Sequence, residues 1–199
     1  SVLEMPEENG LSHFMEHMAF KGTQKRTSRR IAEEMDAVGG HLNAATSKLC
    51  TNYYAKVIDE DLPLAADILA DIVRNPALDR QEMDKERGVI LEEIAMVEDS
   101  PEDVVYEVLA EAVFGAQPLG QTILGPSERI AAYQPEDLRA FRARHYGPQN
   151  TVVAIAGNVE PQRARALIEE KFGDWRGAAG EIFPEEVAID EQRHLCRDK

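Results

Sequence analysis

The sequence predicts an α+β fold: a layered half-domain in which a mostly antiparallel sheet packs against several helices. Most of the chain repeats its apolar residues at helical spacing, whereas residues 41–58 alternate polar and apolar residues as strands do. The strands are interspersed with clusters of helices instead of following a strict βαβ order, which favours α+β layers. Hydrophobic residues make up 43% of the 199 residues and charged residues 30%, a composition typical of globular domains rather than disordered chains.

The predicted elements depend on these periodicities and on residues that begin or end helices. Gly39 and Gly40 end the second helix, because glycine readily adopts the left-handed conformation found there. Asp79 begins a long helix as its N-cap, and Gly88 inside that helix indicates close packing, since it costs about 1 kcal/mol relative to alanine. Helices are predicted at 10–20, 28–38, 61–74, 79–97, 101–114, 126–133, 135–145 and 161–172, and strands at 41–47, 50–58, 151–156 and 187–189.

Length favours one domain, which we place over residues 1–178, with the start of a linker over 179–199. Two cysteines, Cys50 and Cys196, are too few for a disulfide framework, so both are expected to be free thiols.

No apolar run approaches the roughly 20 residues of a membrane-spanning helix, and no signal peptide is evident. We therefore expect no membrane span and a cytoplasmic location of the bacterial type.

The formal net charge is −15. A surface this acidic repels phosphate backbones, so nucleic acid is not an expected partner, whereas cationic peptides would be attracted. The same charge also serves solubility alone, and that alternative stays open.

The first predicted helix has one apolar face and one face that carries histidine and glutamate. With 3.6 residues per turn, its core-facing positions leave His13, Glu16 and His17 together on the opposite face. Two imidazoles four residues apart can ligate one ion, and a neighbouring carboxylate can take a proton from a water that the metal polarises. An H-x-x-x-H pair alone also fits a solvated polar face, but the full H-x-x-E-H string is the inverted zinc-peptidase motif. The apolar positions are Leu11, Phe14, Met15 and Met18.

A catalytic zinc needs three protein ligands and an open position, so a third ligand is required. Glu93 has an apolar residue at each of its four helical neighbours, which predicts that its carboxylate lies in a buried stripe. An ionised carboxylate there is costly unless it is paired or binds a metal. Beside the histidine pair, Glu93 is the predicted third ligand; a buried salt bridge to Arg87 or another arginine is the alternative. Glu86 shares the stripe and is predicted to orient a histidine or the water. The neighbours of Glu93 are Val89, Ile90, Met96 and Val97.

Three separated segments combine into a more specific pattern: GLSHFMEHMAFKGT at residues 10–23, GGHLNAATS at 39–47 and ERGVILEE at 86–93. Together they resemble the N-terminal half of the pitrilysin, insulinase and mitochondrial-processing-peptidase family of zinc metallopeptidases. The likeness extends in order from about Pro6 to Trp175, and three motifs in register are far more specific than one.

The resemblance implies a Zn²⁺ cofactor held by His13, His17 and Glu93, with Glu16 as the general base and Glu86 as a supporting carboxylate. The implied activity is that of a zinc-dependent endopeptidase that hydrolyses peptide bonds of extended or unfolded polypeptides.

The resemblance also implies contacts with substrate. Asn43 and Ala44 fall where family members present an edge strand, whose backbone pairs with an extended peptide. Phe20 is placed at a wall of the pocket just beyond the scissile bond, with core filling as the open alternative.

Members of this family resemble two similar halves that close over the peptide. We therefore expect a second homologous half, from the same full-length chain or from another subunit, and poor activity of this half alone. Self-association as a homodimer is also expected. Two alternatives remain: a catalytically inactive subunit that presents peptides or assists assembly, and a domain with a structural metal. The structural metal would need a fourth ligand, and none is evident.

Overall fold

The structure, a computed structural model, describes residues 2–177. The predicted strand at 187–189 and the linker over 179–199 lie outside the described residues, so the predicted domain boundary stays a prediction.

Helices account for most of the described chain, and the fold class is α+β as predicted. Each predicted helix is present, with ends within two residues of the expected ones, and so is the hairpin. The helices are α1 (Leu11–Ala19), α2 (Ser28–Asp36), α3 (Leu62–Arg74), α4 (Arg80–Asp99), α5 (Pro101–Phe114), α6 (Ser127–Ala132), α7 (Pro135–His145) and α8 (Pro161–Phe172); the strands are β1 (His41–Thr46) and β2 (Thr51–Lys56).

The hairpin is antiparallel, with His41 opposite Lys56 and Thr46 opposite Thr51. Its turn is closed by a hydrogen bond from the Ser47 backbone N–H to the Cys50 carbonyl. Within residues 2–177, β2 is the only strand that pairs with β1. Among these residues, no strand pairs with the other edge of β1.

Two buried clusters hold the elements together. The first joins the apolar face of α1 to α4, α6 and α7, and the second joins α2 and α3 to the inner face of the hairpin. The predicted core-facing residues of α1 are all buried in the first cluster. That cluster contains Leu11, Phe14, Met15, Met18, Leu78, Met83, Ile90, Ile94, Ile130, Tyr133, Leu138 and Phe141; the second contains Ala19, Ile31, Met35, Ala65, Ile68 and Ile72.

The prediction of a buried strand at 151–156 is wrong. These residues form no strand, and Val152 is 93% exposed. A strand needs a neighbour that takes its backbone hydrogen bonds, and the sheet within residues 2–177 consists of β1 and β2 alone. Helix α8 covers one side of the segment, where Val153 and Ile155 line a groove with Ile168. Apolar composition alone therefore did not decide whether this segment pairs.

The prediction of close packing at Gly88 is also wrong. Gly88 is exposed on α4, and a Cβ added there would meet no atom within 4 Å. Gly10 is the opposite case. It has a φ of 98°, and an added Cβ would lie 2.7 Å from the carbonyl oxygen of Leu124.

These two glycines yield a paired prediction. Gly88→Ala should raise the free energy of unfolding by about 0.5–1 kcal/mol, because alanine is the better helix former and has room. Gly10→Ala should lower it, because alanine disfavours positive φ and would clash with the backbone. Urea denaturation of the two variants beside the unmodified chain measures both. A destabilising Gly88→Ala would show that this face of α4 is covered in solution.

Candidate metal centre

Helix α1 begins at a fixed point because a buried carboxylate binds its first turn. Glu4 is 2% exposed, and its Oε1 accepts a hydrogen bond from the Ser12 backbone N–H at 2.6 Å. Its Oε2 accepts from the Gly10 N–H at 3.3 Å. A carboxylate is favourable there because the first N–H groups of a helix lack partners within the helix. Sequence reasoning missed Glu4, because it lies six positions before the N-cap residue Gly10 and a local capping signal is sought immediately before the helix.

The polar face of α1 meets α4 at the three predicted ligands. His13 Nε2 and His17 Nε2 lie 3.7 Å and 3.5 Å from the same atom, Glu93 Oε2. One ligand atom from each residue lies within 4.8 Å of the others. The structure therefore brings together the cluster that the sequence predicts.

The donor atoms of this cluster fit a zinc ion. Ligand atoms about 2.1 Å from a tetrahedral metal are separated by about 3.4 Å, close to the two nitrogen–oxygen distances. Burial, assisted by the nearby His17, lowers the pKa of His13 to about 4, so its imidazole is neutral at pH 7. The neutral form is the one that binds metals. Two imidazole nitrogens and one carboxylate oxygen are a donor set of catalytic zinc, which keeps a fourth position open.

Glu86 orients one of the two histidines. Its Oε2 lies 3.1 Å from His17 Nδ1. Because an ionised carboxylate only accepts, Nδ1 donates the hydrogen and Nε2 keeps its lone pair on the side of Glu93. Lys21 Nζ lies 2.7 Å from Glu86 Oε1, so this buried carboxylate also has a cationic partner. His13 Nδ1, by contrast, is buried without a hydrogen-bond partner among the described residues.

Glu16 lies beside the cluster, on a groove. Its Oε2 accepts a hydrogen bond from the Thr46 hydroxyl on β1. Glu16, His13 and Thr46 line one groove of about 510 Å³, whose other walls include Ala44 and Tyr106. A carboxylate, a histidine that is a predicted ligand, and the β1 strand thus line one groove.

The three predicted substrate-binding residues have different surroundings. Ala44 lines the groove, and exposed Asn43 precedes it on β1, with its Oδ1 accepting from the Ala44 backbone N–H at 2.9 Å. Phe20 instead packs in the second buried cluster, with its ring centroid 6.4 Å from that of Tyr53. That contact favours the core-filling alternative for Phe20, and a contact with substrate stays a prediction.

One premise of the sequence argument for Glu93 is wrong, although the predicted cluster forms. The Glu93 side chain is 39% exposed, and Met96 beside it is 72% exposed. Four apolar neighbours did not bury it, because the buried stripe of α4 lies on an adjacent face. The alternative partner Arg87 donates instead to the carbonyl oxygens of Ile130 and Tyr133. The buried residues of α4 are Met83, Glu86, Ile90 and Ile94.

Comparison with protein families settles the relationship. The family described as insulinase (peptidase family M16) matches residues 1–127. The chain belongs to this family. A second description, peptidase M16 inactive domain, matches residues 132–197, and the cluster around Glu93 lies entirely in the first match.

Among similar proteins, this insulinase-family chain is 41% identical over 203 residues to the uncharacterized zinc protease YmxG of Bacillus subtilis. The match covers 97% of this chain and 49% of YmxG, so the chain spans about half the length of this relative.

Solved structures share the fold. A protease from Helicobacter pylori superposes with a TM-score of 0.86 at 24% identity, over 94% of this chain and 46% of that one. The first half of the periplasmic protease PqqL from Escherichia coli superposes with a TM-score of 0.82 at 25% identity, over 94% of this chain and 42% of that one. No helix within residues 2–177 is long and apolar enough to cross a membrane.

The metal centre predicts about one zinc per chain. His17→Ala should abolish binding, because it removes one of three ligands. Glu86→Gln should weaken binding by about 10- to 100-fold, since it perturbs the group that orients His17. Zinc titration with elemental analysis measures both, and His41→Ala, on exposed β1 and outside the cluster, is the control. Full zinc binding by His17→Ala would disprove this ligand set.

Proposed function

We propose that the chain is the zinc-binding half of an endopeptidase that hydrolyses peptide bonds of extended or unfolded polypeptides. The observation that carries the proposal is the convergence of His13, His17 and Glu93 beside Glu16 on one groove. The zinc-protease names of the relatives agree with it.

Zinc, when bound, lowers the pKa of a water molecule toward about 7 and polarises a substrate carbonyl. The role of Glu16 follows from its position next to His13 on the groove. Its carboxylate accepts a proton from the attacking water and returns that proton to the leaving amine. Glu86 holds the His17 ring in place throughout, through Nδ1.

No strand within residues 2–177 pairs with the other edge of β1, and an extended peptide is proposed to pair there. An added strand forms main-chain hydrogen bonds that tolerate many sequences, which is what binding of unfolded polypeptides requires. Ala44 lines the groove, two residues before Thr46, so a peptide paired with β1 passes close to Glu16. The groove also contains Asp103 and Glu107, and these acids favour cationic segments.

The complete enzyme is proposed to need a second homologous half. The chain spans about half of YmxG and of the Helicobacter pylori protease. The second half would cover the peptide from the other side and supply donors for the developing oxyanion.

A homodimer and a cytoplasmic location are proposed as well. Sedimentation of the full-length protein tests the first, and cell fractionation tests the second.

Glu16→Gln in the full-length protein should keep zinc and lose hydrolysis. The amide cannot accept the proton of the water, and a general base of this kind contributes about 100- to 10,000-fold to the rate. Hydrolysis of labelled casein and zinc content are the measurements, with Glu92→Gln, exposed on α4, as the matched control. Retained turnover in Glu16→Gln would exclude Glu16 as the base. A zinc-loaded wild type without turnover on any unfolded substrate would favour the inactive-subunit alternative.

Residues 1–199 alone should bind zinc and cleave peptides poorly. Loss of one oxyanion donor costs about 100- to 1,000-fold in rate, and loss of substrate positioning adds to that. The assay compares this chain by itself with the same chain after addition of the separately expressed second half. Strong activity that is insensitive to the addition would show that this half contains the whole site.

A further inference from the structure

A series of hydroxyl groups leads from the Glu16 carboxylate into the core. The Thr46 hydroxyl donates to Glu16 Oε2, and Thr51 Oγ1 lies 3.1 Å from Thr46 Oγ1. Tyr146 forms a side-chain hydrogen bond with Thr51, and the Tyr53 and Tyr146 hydroxyl oxygens are 3.0 Å apart. We call these four hydroxyls the hydroxyl relay. The sequence motifs assigned none of them a role.

The carboxylate fixes the direction of every hydrogen bond in the relay. An ionised carboxylate only accepts, so Thr46 must donate its single hydrogen to Glu16. Thr51 then donates to Thr46, Tyr146 to Thr51, and Tyr53 to Tyr146. Four donors thus point in one direction, and each bond polarises the next.

Both tyrosines must be protonated for this arrangement. Burial raises the pKa of Tyr146 to about 12 and the pKa of Tyr53 well above its ordinary value. The nearby negative charge of Glu16 raises both further. The phenols therefore keep their hydrogens at neutral pH.

The relay is anchored in both buried clusters. Tyr146 packs against the first cluster and Tyr53 against the second. Thr46 and Thr51 are paired residues at the turn end of the hairpin. The position of the Thr46 hydroxyl is therefore set by the hairpin register and by the packing of Tyr146 and Tyr53 in the two clusters.

We propose that Thr46 is a positioning residue for Glu16, supported by the rest of the hydroxyl relay. By holding Oε2, it turns the carboxylate so that Oε1 is left to exchange a proton with the attacking water. The same strand that offers its edge to the substrate thereby fixes the base. The inference rests on the proposed peptidase function.

The test uses the full-length, zinc-loaded protein and an internally quenched peptide that the wild type cleaves. Thr46→Val, which keeps the side-chain shape and removes the hydroxyl, should lower kcat by about 10- to 100-fold, because a misplaced catalytic group costs up to about 100-fold. KM and zinc content should not change. Thr46→Ser should restore most of kcat. Thr27→Val, which removes an exposed hydroxyl that caps α2 and does not line the groove, is the matched control.

A second variant tests the relay beyond Thr46. Thr51→Val should lower kcat less than Thr46→Val, and the double variant should equal Thr46→Val alone, because the relay is already interrupted. Additive losses would overturn the relay. The inference would also be overturned if Thr46→Val left kcat unchanged or altered only KM. Failure of Thr46→Ser to restore kcat would overturn it as well.

A structural measurement separates this inference from the proposed function. Crystal structures of metal-free Thr46→Val and Thr46→Ser should show Glu16 reoriented in the first and in place in the second. Glu16 unmoved in Thr46→Val would overturn the inference whether or not the protein is a peptidase. Absence of zinc-dependent hydrolysis by the wild type would instead count against the proposed function.

Discussion

The packing of helix α1 against α4 sets the distances from His13 and His17 to Glu93 in the candidate metal centre. Phe14 and Met18 are buried on one side of α1, which leaves that helix little freedom to turn about its axis or slide along it. Since close-packed interiors tolerate little displacement, the two histidines on the opposite side stay aimed at Glu93. The buried Glu4 carboxylate adds a second restraint, because it binds the first turn of the same helix. In this arrangement the three predicted ligand atoms lie within 4.8 Å of one another.

In the proposed mechanism, the hairpin both binds the peptide and orients the base. The β1 strand contributes Ala44 to the groove and Thr46 to Glu16. Because the strand is held by β2 and by the second cluster, the position of Ala44 relative to Thr46 is fixed. Positioning by a rigid scaffold is one of the larger sources of catalytic rate. In the proposed enzyme it would come from a strand that begins 22 residues after the end of α1 (41 − 19 = 22).

Negative charge is concentrated around the predicted metal ligands. Three carboxylates, those of Glu16, Glu86 and Glu93, lie around two histidines in a protein whose formal net charge is −15. Lys21 pairs with Glu86, and the Glu16 carboxylate is stabilised by the Thr46 hydroxyl. Within residues 2–177, the ion pairs of Glu93 are those with the imidazoles of His13 and His17. A divalent ion bound at the predicted ligands would offset the electrostatic repulsion among the three carboxylates that Lys21 and the Thr46 hydroxyl do not remove.

Local sequence determined the helices, the hairpin and the presence of His13, Glu16 and His17 on one face of α1, because helical spacing is set within a single turn. Contacts between distant segments were decided only by the tertiary structure. Apolar neighbours predicted a buried Glu93, yet α4 buries an adjacent face, and Glu93 reaches the histidines from a half-exposed position. Apolar composition predicted a strand at 151–156, but a strand exists only where another segment takes its hydrogen bonds. The hydroxyl relay could not be predicted from the sequence either, because Thr46 and Tyr146 are 100 positions apart. Both contact Thr51 only when the hairpin packs on the helices.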